Sequence, residues 1–191
     1  MWEQLGHGNS NCQFTPKIVD ALADEVVVDV ECGVGHTCAV TSTGSILTWG
    51  KGIVTGHGED YVLLPRLLQG LSSKGVICVS ANEYHTACVT KDGDLITWGY
   101  GDFGKLGHGD ETNQQNPKRV EALVGVKVTM VSCGRYHTAL YVVYSTSGGI
   151  HTVKYPAFSE PYWSSNVIPL AFLRGARRKY HMGGISKITV P

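Results

Sequence analysis

The chain has 191 residues, enough for one domain with a real core and too few for two large ones. Hydrophobic residues make up 42% and charged residues 17%, which excludes a disordered polyelectrolyte, and the zero net charge supplies no overall field to hold the chain on nucleic acid or an anionic membrane. No apolar run approaches the ~18 residues of a membrane helix, and Met1-Trp2-Glu3-Gln4 leads into glycine-rich sequence rather than a signal peptide, so the expected setting is cytoplasm or nucleus with no membrane partner.

Taken in chain order, the sequence repeats itself. Leu5-Gly6-His7-Gly8 returns as Thr55-Gly56-His57-Gly58 and as Leu106-Gly107-His108-Gly109, in steps of 50 and 51 residues. A proline with apolar followers comes next in each unit, at Pro16, Pro65 and Pro117. Then stands Cys32-Gly33-Val34-Gly35-His36-Thr37, answered by Ala81-Asn82-Glu83-Tyr84-His85-Thr86 and by Cys133-Gly134-Arg135-Tyr136-His137-Thr138. Two units close on a fourth marker, Leu47-Thr48-Trp49-Gly50 and Ile96-Thr97-Trp98-Gly99.

The local chemistry between markers is that of strands. Val26 to Val30 and Val126 to Val131 are β-rich, and Thr43-Gly44 and Asp92-Gly93 sit between pairs of short apolar runs, where glycine accepts the positive φ of a hairpin turn. No helical amphipathic pattern precedes residue 165. The 24 glycines fit many tight turns, and a period near 50 with several strands per unit predicts propeller blades.

The order Trp-Gly, Leu-Gly-His-Gly, Pro-x-x-Val, Gly-x-x-His-Thr resembles the repeat of the regulator-of-chromosome-condensation family, over residues 2 to about 144. That resemblance implies an all-β fold: four-stranded blades, each shared between two sequence repeats, in a ring of seven. The expected organisation is a partial β-propeller of about three blades, with repeats at about 2–50, 51–99 and 100–144. A divergent, partly irregular tail follows at 145–191, holding at most a degenerate strand pair at 147–153. Three repeats are too few for a seven-bladed ring, so the sequence reads as a fragment or short form of a longer propeller, able to associate with itself through open sheet edges.

Two departures stand out. The second repeat has only Lys51-Gly52-Ile53-Val54-Thr55 where the third has Tyr100-Gly101-Asp102-Phe103-Gly104-Lys105-Leu106. Charge is also uneven: residues 1–144 carry ten Lys/Arg against fifteen Asp/Glu, and residues 145–191 carry six against one. Arg174, Arg177, Arg178 and Lys179 form the one basic cluster, read either as a solvated run or as a targeting or nucleic-acid contact.

The residue types that could carry chemistry are mostly repeat positions. His7, His36, His57, His85, His108 and His137 recur at equivalent places, which points to structural use: an imidazole can bond backbone groups at a tight turn and pack as a ring. Thr37, Thr86 and Thr138 are expected as strand-start residues, and Trp49 and Trp98, each followed by Gly50 or Gly99, as core. Gly6, Gly8, Gly33, Gly56, Gly58, Gly107, Gly109 and Gly134 complete the structural set. Asp92, Asp94, Asp102, Asp110 and Glu111 flank turns. Six cysteines show no metal-ligand spacing and are expected as buried thiols. No phosphate loop and no nucleophile elbow is present, so no catalytic, cofactor or metal residue is assigned.

A light-sensing branch of the resembled family places Trp where this chain has Val34, Glu83 and Arg135, so photoreception is not implied. Two functions remain. One is a non-enzymatic protein-protein interaction module with no small-molecule substrate. The alternative is guanine-nucleotide exchange on a Ran-like GTPase with chromatin association, which in this family needs a complete ring.

Overall fold

The computed structural model describes residues 3–58, 61–146 and 149–155. Eleven strands and five short 3-10 turns fill these stretches, with no α-helix among the described residues. The strands run in chain order as β1 (Val27–Cys32), β2 (His36–Thr41), β3 (Ile46–Lys51), β4 (Tyr61–Leu67), β5 (Val76–Ala81), β6 (His85–Thr90), β7 (Leu95–Gly99), β8 (Gln114–Arg119), β9 (Lys127–Cys133), β10 (Thr138–Thr146) and β11 (Gly149–Tyr155). They form antiparallel sheets β1-β2-β3-β4, β5-β6-β7-β8 and β9-β10-β11. The third sheet is three-stranded among the described residues, where four strands per blade were expected. Its last strand, β11, lies in the stretch read from sequence as the start of the tail.

Each four-stranded sheet draws on two sequence repeats. In the first, β1 to β3 precede the Gly56-His57-Gly58 marker and β4 follows it. Simple up-and-down order follows from the two tight hairpins in each complete sheet. At their tips Gly44 (φ +79) and Gly93 (φ +90) occupy the left-handed region, and a Cβ on Gly44 would come within 2.7 Å of the Gly75 backbone of the next sheet. The same tips are tied onward: Val76 N–H donates to the Gly44 carbonyl at 2.8 Å and Val128 N–H to that of Gly93 at 3.0 Å. Glycine therefore serves both the turn and the approach of the next blade.

The sheets stack face to face. Cys38, Val40 and Ile46 of the first pack on Val76, Val79, Ala81, Cys88, Ile96 and Trp98 of the second. Ala87, Val89 and Leu95 of the second pack on Val128, Val131, Leu140 and Val142 of the third. The remaining face of the first sheet, with Ala39, Leu47, Trp49 and Val62, is closed by Leu22 of the opening segment. Each fully buried aliphatic side chain contributes about 1.5–3 kcal/mol, so these two seams dominate the cohesion of the stack.

The cysteines divide. Cys38, Cys88 and Cys133 are buried, as expected, and burial raises all three thiols, that of Cys133 to about 12. Cys12 and Cys32 are exposed instead, because neither the opening segment nor the outer face of β1 is covered among the described residues. Residues 156–191, with the basic cluster Arg174, Arg177, Arg178 and Lys179, lie outside the described residues.

Candidate interaction face

A repeated hydrogen-bond relay positions one end of the stack. The hydroxyl of Thr86 donates to the Val54 carbonyl at 2.9 Å, so the 2.7 Å contact with Nε2 of His36 is a donation from the imidazole. Thr138 repeats the arrangement one blade on, donating to the Lys105 carbonyl at 2.7 Å and meeting His85 Nε2 at 2.8 Å. Thr37 donates to the Gln4 carbonyl at 2.9 Å. The indoles join at the same acceptors: Trp49 Nε1 donates to Gln4 and Trp98 Nε1 to Val54, both at 2.8 Å. A Cβ on Gly6 or Gly56 would stand 2.9 Å from these indole nitrogens, so glycine is needed where the loop crosses the ring.

His36 and His85 are fully buried with Nδ1 unpartnered, which fixes both as neutral rings protonated at Nε2. Burial lowers the His36 pKa to about 4; burial, with the nearby Lys105 charge, lowers that of His85 to about 3. A second relay runs within blades: Thr48 donates to the Thr55 carbonyl and takes His57 Nε2 at 2.9 Å, and Thr97 does the same with Leu106 and His108 at 3.0 Å. His36, His57, His85 and His108 thus each meet a threonine hydroxyl through Nε2. His137 is exposed, with no blade beyond it among the described residues.

The relay ends directly beneath three loops, 33–35, 82–84 and 134–137, and the longer 100–113 loop returns to the same edge, where Tyr100 N–H donates to the Tyr84 carbonyl at 2.8 Å. Aromatic side chains gather there. Tyr84 and Tyr100 meet edge to face at 6.0 Å, and Phe103 and Tyr136 at 5.1 Å. Between them the Arg135 guanidinium lies 6.0 Å from the Tyr84 ring and 5.2 Å from the Tyr136 ring, held by a 3.2 Å ion pair to Glu83. The Tyr84 hydroxyl is raised by its bond to Glu83, and Arg135 is raised by its bond to Tyr84. Lys105, buried under this layer, pairs with Asp102 at 3.1 Å.

Phe103 is 50% exposed and holds φ +62, a left-handed conformation that costs a non-glycine residue ~1–2 kcal/mol. Its ring is therefore presented at the surface against a backbone penalty. Among the described residues no cluster of three or more His, Cys, Asp or Glu could hold a metal ion. The acidic turn residues have local work: Asp94 pairs with Arg119, and Asp110 caps Thr112 N–H at 2.9 Å.

This face was not singled out in the sequence. The signal was present in Tyr84 and Tyr136, which precede equivalent histidines, and in the two extra residues that the third repeat holds between Gly99 and Gly107.

Comparison with known proteins agrees with the repeat and the architecture. The regulator of chromosome condensation (RCC1) repeat matches residues 1–40 and 92–141, and a second pattern of the same description matches residues 76–105, together more than half of the chain. The chain belongs to the regulator of chromosome condensation repeat family. Among relatives of this family, the Arabidopsis thaliana ultraviolet-B receptor UVR8 is 38% identical over 161 residues, covering 82% of this chain and 36% of the receptor. The human E3 ubiquitin-protein ligase HERC2 is 42% identical over 132 residues, covering 69% of this chain and 2% of the ligase. Human WBSCR16 superposes with TM-score 0.65 at 22% identity, over 88% of this chain and 45% of that one. Yeast Prp20p, whose binding to Gsp1p and histones was described with its structure, superposes with TM-score 0.59 at 20% identity, over 66% of this chain and 33% of its own. The chain thus spans about a third of the receptor and far less of the ligase. The RCC1-repeat blades are common ground; these structural likenesses carry the fold alone.

Proposed function

We propose that this chain is a non-enzymatic protein-recognition module that binds through the face formed by Tyr84, Tyr100, Phe103, Arg135 and Tyr136. The observation that carries the reading is the Arg135 guanidinium set between two tyrosine rings on a rigid edge. Tyr and Arg are the residue types most enriched at binding hot spots, and here their rotamers are held before a partner arrives. The strained, exposed Phe103 supports the same face. The relay beneath supplies the rigid scaffold on which loop residues recognise partners.

The test is affinity capture with the intact chain and with Arg135→Ala and Tyr136→Ala, both at exposed positions. Proteins retained by the parent and lost by both variants, at unchanged melting temperature, support the reading. An identical set retained by all three overturns it. Release of labelled GDP from a Ran-like GTPase is run beside it; clear acceleration by the chain would replace this reading with exchange activity.

A further inference from the structure

Charge on the aromatic face is uneven, and the imbalance sits on the middle sheet. Of Asp, Glu, Lys and Arg, the four loops that meet there carry Glu83, Asp102, Asp110 and Glu111 against Lys105 and Arg135. Each cation is already matched. Lys105 Nζ, on a side chain 1% exposed, meets Asp102 Oδ2 at 3.1 Å, and Arg135 Nε meets Glu83 at 3.2 Å. Asp110 and Glu111 are therefore the surplus, and both are exposed. The bond from Thr112 N–H holds the Asp110 carboxyl below its ordinary range, with the Lys118 charge a lesser influence in the same direction, so Asp110 is ionised at neutral pH.

The ring beside these carboxylates is open as well. Phe103 directly follows Asp102, is 50% exposed, and meets Tyr136 only edge to face. Among the described residues, cations lie over the Tyr84 and Tyr136 rings and none over Phe103. The Asp102 side chain is 61% exposed, and its second oxygen, Oδ1, has no described partner. Glu111 is held alongside, since its carbonyl would stand 2.7 Å from a Cβ on Gly101. All these residues belong to the loop between β7 and β8 of the middle sheet. A described sheet packs on each side of it, so their exposure is that of the face and not of an uncovered end of the stack. The equivalent loop of the first sheet, Lys51 to Gly58, is shorter and has no aromatic residue, so closing a blade does not require the ring.

We infer that this loop binds an arginine-bearing segment of an extended peptide: a guanidinium stacks on Phe103 and pairs with Asp102 Oδ1, while neighbouring basic residues meet Asp110 and Glu111. The inference rests on the recognition face proposed above and supplies the chemistry of its partner. A planar guanidinium suits a flat ring and a carboxylate together, which a compact ammonium does less well. Nucleic acid and anionic membrane are disfavoured, because the surplus carboxylates repel phosphate.

The test is fluorescence polarisation of the full chain with a labelled peptide of alternating Gly and Arg, and with its citrulline and Glu counterparts. Citrulline keeps the flat group and removes the charge. The Arg peptide alone should bind, more weakly as salt is raised. Phe103→Gly, and separately the pair Asp110→Asn with Glu111→Gln, should each weaken it about five-fold or more. Asn at position 110 still accepts the Thr112 N–H, so the melting temperature of that pair should match the parent. The pair Asp24→Asn with Glu25→Gln removes the same charge from exposed positions beside the Gly44 hairpin, at the opposite end of the blade, and should leave binding nearly unchanged. Equal losses in the two double variants overturn the inference, since the overall field would then be holding the peptide. So does an affinity untouched by Phe103→Gly, no binding of the Arg peptide, or binding of the citrulline or Glu peptide as tight as that of the Arg peptide. In those cases the recognition face itself still stands if partner capture continues to depend on Arg135 and Tyr136.

Discussion

His36 Nε2–H donates to the hydroxyl of Thr86 at 2.7 Å, joining two blades across fifty residues of sequence. Both groups are fully buried, and the hydroxyl donates its own hydrogen bond to the Val54 carbonyl, which also accepts from the Trp98 indole. One peptide oxygen thus collects the seam between blades.

Removing the hydroxyl should therefore cost more than one bond. Thr86→Val leaves a buried imidazole N–H unpaired and is expected to destabilise by ~1–3 kcal/mol, whereas Thr86→Ser keeps the relay. Chemical denaturation of the two variants checks this, and equal midpoints would show that the bond has no energetic role.

Acid should weaken the stack through the same histidines. Their folded values, about 4 for His36 and about 3 for His85, lie below the ordinary value of 6.5, so the unfolded chain binds protons first. The sign follows: this contribution is fully present above pH ~6.5 and is lost as pH falls through the folded values. Melting temperature should drop steeply between neutral pH and pH 4. In His36→Gln the drop should be shallower, even though its melting temperature at pH 7 is lower.

Trp98 is fully buried between the first two sheets, and Trp49 is 4% exposed at the equivalent place. Trp98→Ala should cost ~3–5 kcal/mol by opening a cavity, and Trp98→Phe ~1 kcal/mol or somewhat more by losing the bond to Val54. Equilibrium unfolding in urea separates the two; similar losses would mean that the hydrogen bond dominates over packing.

At Gly107, φ is +79, inside the marker turn. Gly107→Ala should cost ~1–2 kcal/mol from the left-handed backbone alone, and Gly107→Val more, since a β-branched side chain resists that region further. A melting temperature equal to the parent in both would show that the turn adapts.

Phe103→Gly isolates recognition from stability. The change relieves the positive-φ penalty of ~1–2 kcal/mol and forfeits the ring contact with Tyr136, worth ~0.5–1.5 kcal/mol, so the melt should move little while partner capture falls. A large loss of stability would mark Phe103 as a structural residue and weaken the proposed face.

How much of this was legible in the sequence varies by residue. The Gly-His-Gly and His-Thr markers predicted blades because turn glycines and strand-start threonines are local necessities, repeated wherever the same turn is built. The tryptophans were legible as core by the same reasoning. The aromatic face was not, because Tyr84, Tyr100, Phe103, Arg135 and Tyr136 come from three loops whose adjacency depends on how blades stack.

The sequence by itself determined the repeat, the hairpins and the all-β class, since period, turn chemistry and alternation act within a few residues of one another. Only the tertiary structure decided that the histidines bond threonines of the neighbouring blade, that Cys32 and Val30 stand exposed while their equivalents are buried, and that Arg135 lies between two tyrosine rings. The reason is physical: hydrogen bonds and burial between blades join residues about fifty positions apart, and no local pattern records which of them will face one another.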